Sequence, residues 1–171
     1  HDQTEKIIKL VKKENIIPSE KQKEILELNI SALELRDKYY RKVENLIKSF
    51  IRKKYSNIKD LQKDFPLLFL NADKLRSNPS KHIKHEHEDV IEFLSFGASV
   101  KILNENKKSN KDWKMIDWDI ISHAYYIVDR RNDMEHYSDD KLDESIPKES
   151  KTLGYIFSKE IMDFFEKIEF V

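Results

Sequence analysis

Glycine occurs only twice in this 171-residue chain, at Gly97 and Gly154, and proline only four times. A β-rich fold of this length needs far more residues able to make tight turns. A glycine-rich phosphate loop is excluded, because neither glycine has a second one nearby. What remains are long segments in which apolar residues recur at spacings of three and four, the period of one helix face. These features predict an all-α fold, an antiparallel helical bundle of four main helices plus short accessory helices.

Residues 4–14, "TEKIIKLVKKE", predict a short helix that "NIIPSE" breaks. Pro18 and Ser19 then start a long helix expected to reach Tyr55. Its apolar positions run Ile25, Leu28, Ala32, Leu35, Tyr39, Val43, Leu46 and Phe50, and Leu26, Ile30, Leu33, Tyr40, Ile47 and Ile51 widen the stripe. At 1.5 Å per residue it would exceed about 50 Å, so one end is expected to project or to pack on another chain. Residues 1–17 are read as an N-terminal helix or linker, and 18–171 as one bundle domain. "DFPLLFL" around Pro66 reads as a buried irregular segment. A second helix is expected from Glu86 or Glu88 through Val90, Ile91, Leu94, Ala98 and Ile102. Gly97 would cost it about 1 kcal/mol against Ala, which a close helix crossing would explain. "NENKKSNKDWK" and residues 138–150 read as polar loops. A third helix begins near Asp117, and a last one carries Leu153, Ile156, Phe157, Ile161, Phe164, Phe165 and Ile168.

Composition narrows the function classes. Nine Phe, seven Tyr and two Trp within 39% hydrophobic residues supply a core. No apolar run approaches the roughly 20 residues of a spanning helix, so no membrane is expected. Lys plus Arg equals Asp plus Glu at 32 each, which argues against a broad basic surface for duplex DNA and leaves room for a local basic patch. The absence of Cys removes disulfides, thiolate catalysis and Cys-ligated zinc, and fits a cytoplasmic protein. The chain starts at His1 rather than Met and shows no secretory signal. It therefore reads as an excised part of a longer chain, whose other domains are expected partners.

The residues that carry chemistry lie in "VDRRNDMEHYSDD", 128–140. Along the third helix the stripe runs Ile121, Ala124, Val128, Arg131, so a cation continues the core seam. Such a cation is either paired or working at a site. The plain alternative pairs Arg131 with Glu135, four residues on, and sets His136 on the dipole at the helix C-terminus. In an unbroken helix Arg131 and His136 would point about 140° apart. For both to meet one phosphate, the helix must bend or end here, or the two must come from different chains.

Arg131-Asn132-Asp133-Met134-Glu135-His136 resembles the motif of the HEPN superfamily, in which an Arg is followed by a polar residue such as Asn and then, after four to six intervening residues, by a His. Requiring Asn directly after Arg makes a chance match about twentyfold rarer. "ALELRDKYYRKVENLIKSFIRKKY" and "IEFLSFGASVKIL" are also similar to elements of that superfamily, so the resemblance covers roughly residues 19–170. It implies a helical bundle that dimerises with its motifs facing across a cleft, and in many members a metal-independent endoribonuclease. One branch has a Tyr two residues after the His, where a partner enzyme modifies it. Here Ser138 holds that place and Tyr137 follows His136 directly. Other members only bind a protein or nucleotide, which is the alternative function.

The residue types suit RNA cleavage by 2′-OH attack on the adjacent phosphate. His136 would shuttle protons near neutral pH. Arg131 would present a planar fork of donors to the phosphorane, and Asn132 would hold the phosphate or orient the imidazole. The products would be a 2′,3′-cyclic phosphate and a 5′-OH. Arg130 and Tyr137 beside the motif, and Lys107, Lys108 and Lys111 before the third helix, are candidate RNA contacts. No cofactor or metal is expected. His82, His85 and His87 lie among carboxylates in "HIKHEHED" but read better as a solvated charged turn than as a metal site. His123 reads as a satisfied core His. Trp113 and Trp118 read as core residues, with base stacking as the competing role.

Overall fold

The computed structural model describes residues 29–77 and 89–168. Among these residues the regular elements are all helical, with no strand. In order they are α1 (Ala32–Glu34), a π-helical segment Leu35–Tyr40, α2 (Arg41–Lys54), α3 (Ile58–Asp64), α4 (Pro66–Arg76), a 3-10 turn Val90–Phe93, α5 (Phe96–Ser109), a 3-10 turn Lys111–Trp113, α6 (Trp118–Met134), α7 (Asp139–Ser145) and α8 (Lys148–Ile168). They form two compact units, each discontinuous in sequence. One holds 29–43 and 123–164, and the other 44–77, 89–122 and 165–168. The division falls inside α2, α6 and α8.

In the first unit the chain enters α1 at Ser31, whose extended backbone and side-chain oxygen cap the helix by accepting the Glu34 N–H at 3.1 Å. The Ala32 N–H donates to Asp143 Oδ1 at 2.8 Å. Lys151 Nζ meets the same carboxylate at 3.0 Å. The Ala32 amide and the Lys151 ammonium hold the Asp143 carboxyl below its usual range. The long helix expected from Ser19 therefore begins at Ala32 within the described residues. Its first part, with the 4–14 helix, lies outside them.

The π segment changes the register. A π turn takes in one residue more than an α turn, so the buried line steps five residues from Leu35 to Tyr40 before resuming at Val43 and Ile47. The regular stripe put Tyr39 at this place. Instead Tyr40 is fully buried, and Tyr39 is half-buried with its ring edge-on to Tyr155 at 5.1 Å.

The second unit is built on Phe50, edge-on to Trp113 at 5.2 Å and to Phe165 at 5.5 Å. Tyr55 Oη donates to Asp64 at 2.8 Å and accepts from Asn106 at 2.9 Å. Lys48, nearly enclosed, is satisfied by Glu44 and by the Glu92 carbonyl, each at 2.9 Å.

Three other segments differ from expectation. The stretch around Pro66 is helical, with Pro66 in its first turn, where a missing N–H costs nothing. Leu67, Leu70 and Leu75 on it are exposed, Leu67 to 68%, and Leu68 is half-buried. The helix expected from Glu86 or Glu88 is broken instead. Its described part is a 3-10 turn capped by Asp89, an extended Leu94, and α5 starting after Ser95, whose hydroxyl accepts the Ala98 N–H at 3.0 Å. Gly97 therefore sits in a first turn, and a close approach that the sequence did not suggest occurs at Gly154. A Cβ there would lie on the Tyr40 hydroxyl oxygen and 3.0 Å from its Cζ. Both expected polar loops are largely helical. Residues 104–109 extend α5, and 139–145 form α7, pinned by fully buried Leu142.

Candidate functional site

The motif lies at the end of α6, in the first unit. Ala124, Ile127 and Val128 are buried along the helix, and Met134 at its last residue is 1% exposed. This apolar anchor fixes the rotation of the final turn, leaving Arg131 half-buried and Asn132 exposed. The helix stops at Met134. Beyond it the N–H groups of Glu135, His136 and Tyr137 donate three residues back, to the carbonyls of Asn132, Asp133 and Met134, each at 3.2 Å. These tightened turns satisfy carbonyls that a helix end leaves open. They carry His136 and Tyr137 out to the surface, Tyr137 to 43% exposure. The chain thus meets one of the alternatives the sequence required: the helix ends between Arg131 and His136.

Arg130 is held differently. Its guanidinium lies 4.9 Å from the centre of the Tyr126 ring. Its Nε stands 3.0 Å from Asp133 Oδ2, within ion-pair distance but not aligned for an Nε–H hydrogen bond. Burial opposes its charge, yet the Tyr126 phenol and the Asp133 and Asp129 carboxylates outweigh burial and keep it cationic. Behind it stands Tyr40, whose phenol burial pushes above its ordinary value, next to Tyr126 and Arg130. Sequence reasoning missed this Tyr40–Tyr126–Arg130 cluster. The only local signal was the four-residue spacing of Tyr126 and Arg130 on one helix face.

His123, on the same helix, is half-buried and satisfied. Its Nδ1 is 2.6 Å from Glu160 Oε2, and its ring stacks on Phe157 at 3.8 Å.

The lysines proposed as RNA contacts belong to the second unit. Lys107 is buried, with Nζ 3.2 Å from the Lys114 carbonyl oxygen and 5.1 Å from the centre of the Trp118 ring. Lys108 is exposed and 3.8 Å from Glu105, and Lys111 is exposed. Trp113 is a core residue at 3% exposure, whereas Trp118 is 48% exposed, so the core reading holds for the first and fails for the second. This unit also contains a cleft of about 390 Å³ lined by Arg52, Tyr55, Ile58, Arg76, Asp89 and Ile91. Its cations are engaged, Arg52 with Asp89 and Glu92, and Arg76 with Asp73.

His82, His85 and His87 lie outside the described residues. Among the described ones, no group of three His, Asp or Glu side chains is placed to hold a metal ion, and no helix is long and apolar enough to cross a membrane. Comparison with protein-family models, curated proteins and solved structures finds no match for this chain.

Proposed function

We infer that the chain is a HEPN-like helical bundle of four main helices with accessory ones, and that it acts as a metal-independent endonuclease on single-stranded RNA. The observation that carries this reading is the end of α6 inside the motif. Arg131 stays half-buried on the last helical turns, while Asn132 and His136 are exposed on and just after them.

In the proposed reaction, His136 takes the proton of a ribose 2′-OH as that oxygen attacks the adjacent phosphorus. The P–O5′ bond breaks, and the departing oxygen takes up a proton. The composite site of a homodimer provides it, because the facing motif brings a second His136. Arg131 neutralises the phosphorane with two parallel donors, and Asn132 orients phosphate or imidazole. The products are a 2′,3′-cyclic phosphate and a 5′-OH. Arg130 and Tyr137, in the same unit, are the secondary RNA contacts of this reading.

The test is cleavage of single-stranded RNA in EDTA by wild type and variants. His136→Ala should lose activity by about 10² or more. Arg131→Lys should fail nearly as badly, because a point charge does not replace a bidentate fork, and Asn132→Ala should be milder. Wild-type cleavage that stops in EDTA and returns with Mg²⁺ would refute the metal-free mechanism. Arg131→Ala that unfolds the domain would make that arginine a structural cation instead.

A further inference from the structure

Trp118 opens α6 in the second unit, and it is the largest apolar side chain left exposed among the described residues, at 48%. An indole this open forgoes much of the burial that normally holds an aromatic ring in a fold. One side of it is nevertheless built. The Lys107 ammonium stands 5.1 Å from the ring centre, donates to the Lys114 carbonyl at 3.2 Å, and belongs to a residue only 8% exposed. The indole and the carbonyl help offset the loss of water around that charge. Lys107 therefore closes the side of the ring that it occupies, and the exposure of Trp118 belongs to the rest of it. Met115, three residues earlier, is 44% exposed as well.

Cations gather near this ring. Lys108 is exposed on the last turn of α5, Lys111 on the 3-10 turn, and Lys114 just after it. The end of α2 comes to the same turn, where Lys54 Nζ donates to the Asp112 carbonyl at 2.9 Å. Two basic runs far apart in sequence, 53–54 and 107–114, are thereby brought together. Carboxylates are mixed in: Glu105 is 3.8 Å from Lys108, and Asp112, Asp117 and Asp119 are exposed. The positive excess is small, so charge alone would not hold a long duplex there. An open indole with ammonium groups beside it fits a different ligand, an unpaired base stacked on the ring with its flanking phosphates on the lysines. We propose that Trp118 is a base-stacking platform and that Lys108, Lys111 and Lys114 take the adjacent phosphates, so that this face binds a short single nucleic-acid strand. Every base has a π face, so the surface selects unpaired over paired bases rather than one sequence over another. The inference goes beyond the nuclease reading and does not depend on it, because its residues lie in the second unit and none belongs to the motif.

The test is binding of a 2′-O-methyl oligouridylate of about ten nucleotides to the full chain. The probe offers no free 2′-OH to attack, so binding is read without cleavage. Affinity is measured by anisotropy of an end-labelled strand, and tryptophan emission is followed with the unlabelled one. Trp118→Ala should weaken binding by about tenfold or more, the loss of one stacked base, while Trp118→Phe, which keeps a ring, should stay within about threefold of wild type. Wild-type emission should fall on binding, and the fall should vanish in Trp118→Phe, because the remaining Trp113 is buried. The slope of log affinity against log salt should be about −2, as for three phosphates of a single strand, and should approach zero when Lys108, Lys111 and Lys114 are all changed to Gln. The same strand paired with its complement should bind at least about tenfold more weakly. No binding by wild type overturns the proposal, and so does binding that leaves tryptophan emission unchanged. Trp118→Ala that binds as tightly as wild type, or a duplex that does, overturns it as well. Light scattering decides the competing use of this face: a wild-type dimer that Trp118→Ala dissociates, with oligonucleotide binding unaltered, would make it a contact between protein copies instead. If Trp118→Ala melts early because Lys107 is uncovered, the wild-type emission, the salt slope and the lysine variant still decide the question. Failure of wild type to cleave RNA would end the nuclease reading and leave this one standing.

Discussion

Gly154 shows how one residue sets the chemistry of its neighbourhood. It is buried on α8, and any side chain there would displace the Tyr40 phenol. The neighbour is a buried aromatic ring and cannot swing aside cheaply. Gly154→Ala should therefore destabilise the protein by about 1–3 kcal/mol despite the better helix propensity of Ala, as overpacked cores do. Tyr40→Phe in the same chain should recover part of this loss. It removes the oxygen that is struck first and leaves Cζ 3.0 Å from the added methyl. Chemical denaturation of both single variants and the double variant measures the coupling, and a Gly154→Ala chain as stable as wild type would contradict the packing described. The sequence alone singled out Gly97, because a lone Gly in a run of helix-spaced apolar residues looks like a crossing point, and gave no sign of the close approach at Gly154. Gly97 lies instead within a first turn, where backbone N–H groups lack helical partners anyway. The Arg131, Asn132 and His136 triplet was legible because its residue types and spacing are local. The Tyr40 partner was not, since it comes from a segment about ninety residues away and reaches its place only through the π register.

At the scale of elements, the long amphipathic stretches were readable and the interruptions were not. α6 and α8 were recognised because their stripes run for several turns without a competing pattern. The break before α5 was hidden. Ile91, Leu94, Ala98 and Ile102 keep helical spacing across it, while Asp89 and Ser95 are capping residues lying inside that spacing. The caps make the break tolerable, because each side chain satisfies a backbone N–H that the interruption leaves without a helical partner. Ser95→Ala should accordingly cost about 1 kcal/mol and loosen the first turn of α5, seen as a lower melting midpoint and faster exchange of the Ala98 amide. Ser95→Asp, which keeps an acceptor at the cap, should be close to neutral. Equal stability of Ser95→Ala and wild type would mean that the cap is not what ends the 3-10 segment. α7 was missed for a related reason. "SDDKLDES" is polar enough to look like a loop, yet Leu142 and Ile146, four apart, are both buried and suffice to anchor two helical turns.

At the scale of the whole molecule, formal neutrality and a motif built of one Arg, one Asn and one His describe a protein that would engage RNA locally rather than along an extended basic track. Among the described residues, exposed apolar side chains of the second unit, Leu67, Leu70, Leu75, Met115 and Trp118, are the kind of surface that association between chains covers. In the proposed reaction His136 and Arg131 drive attack by a ribose hydroxyl without a metal. The most direct measurement is cleavage, in EDTA, of a single-stranded RNA and of the same strand carrying one 2′-deoxy residue at the mapped cut site, with the product ends analysed by mass spectrometry. The all-RNA strand should yield a 2′,3′-cyclic phosphate and a 5′-OH, and the deoxy strand should not be cut at that position. Cutting that continues at the deoxy position, or ends carrying a 5′-phosphate, would contradict it.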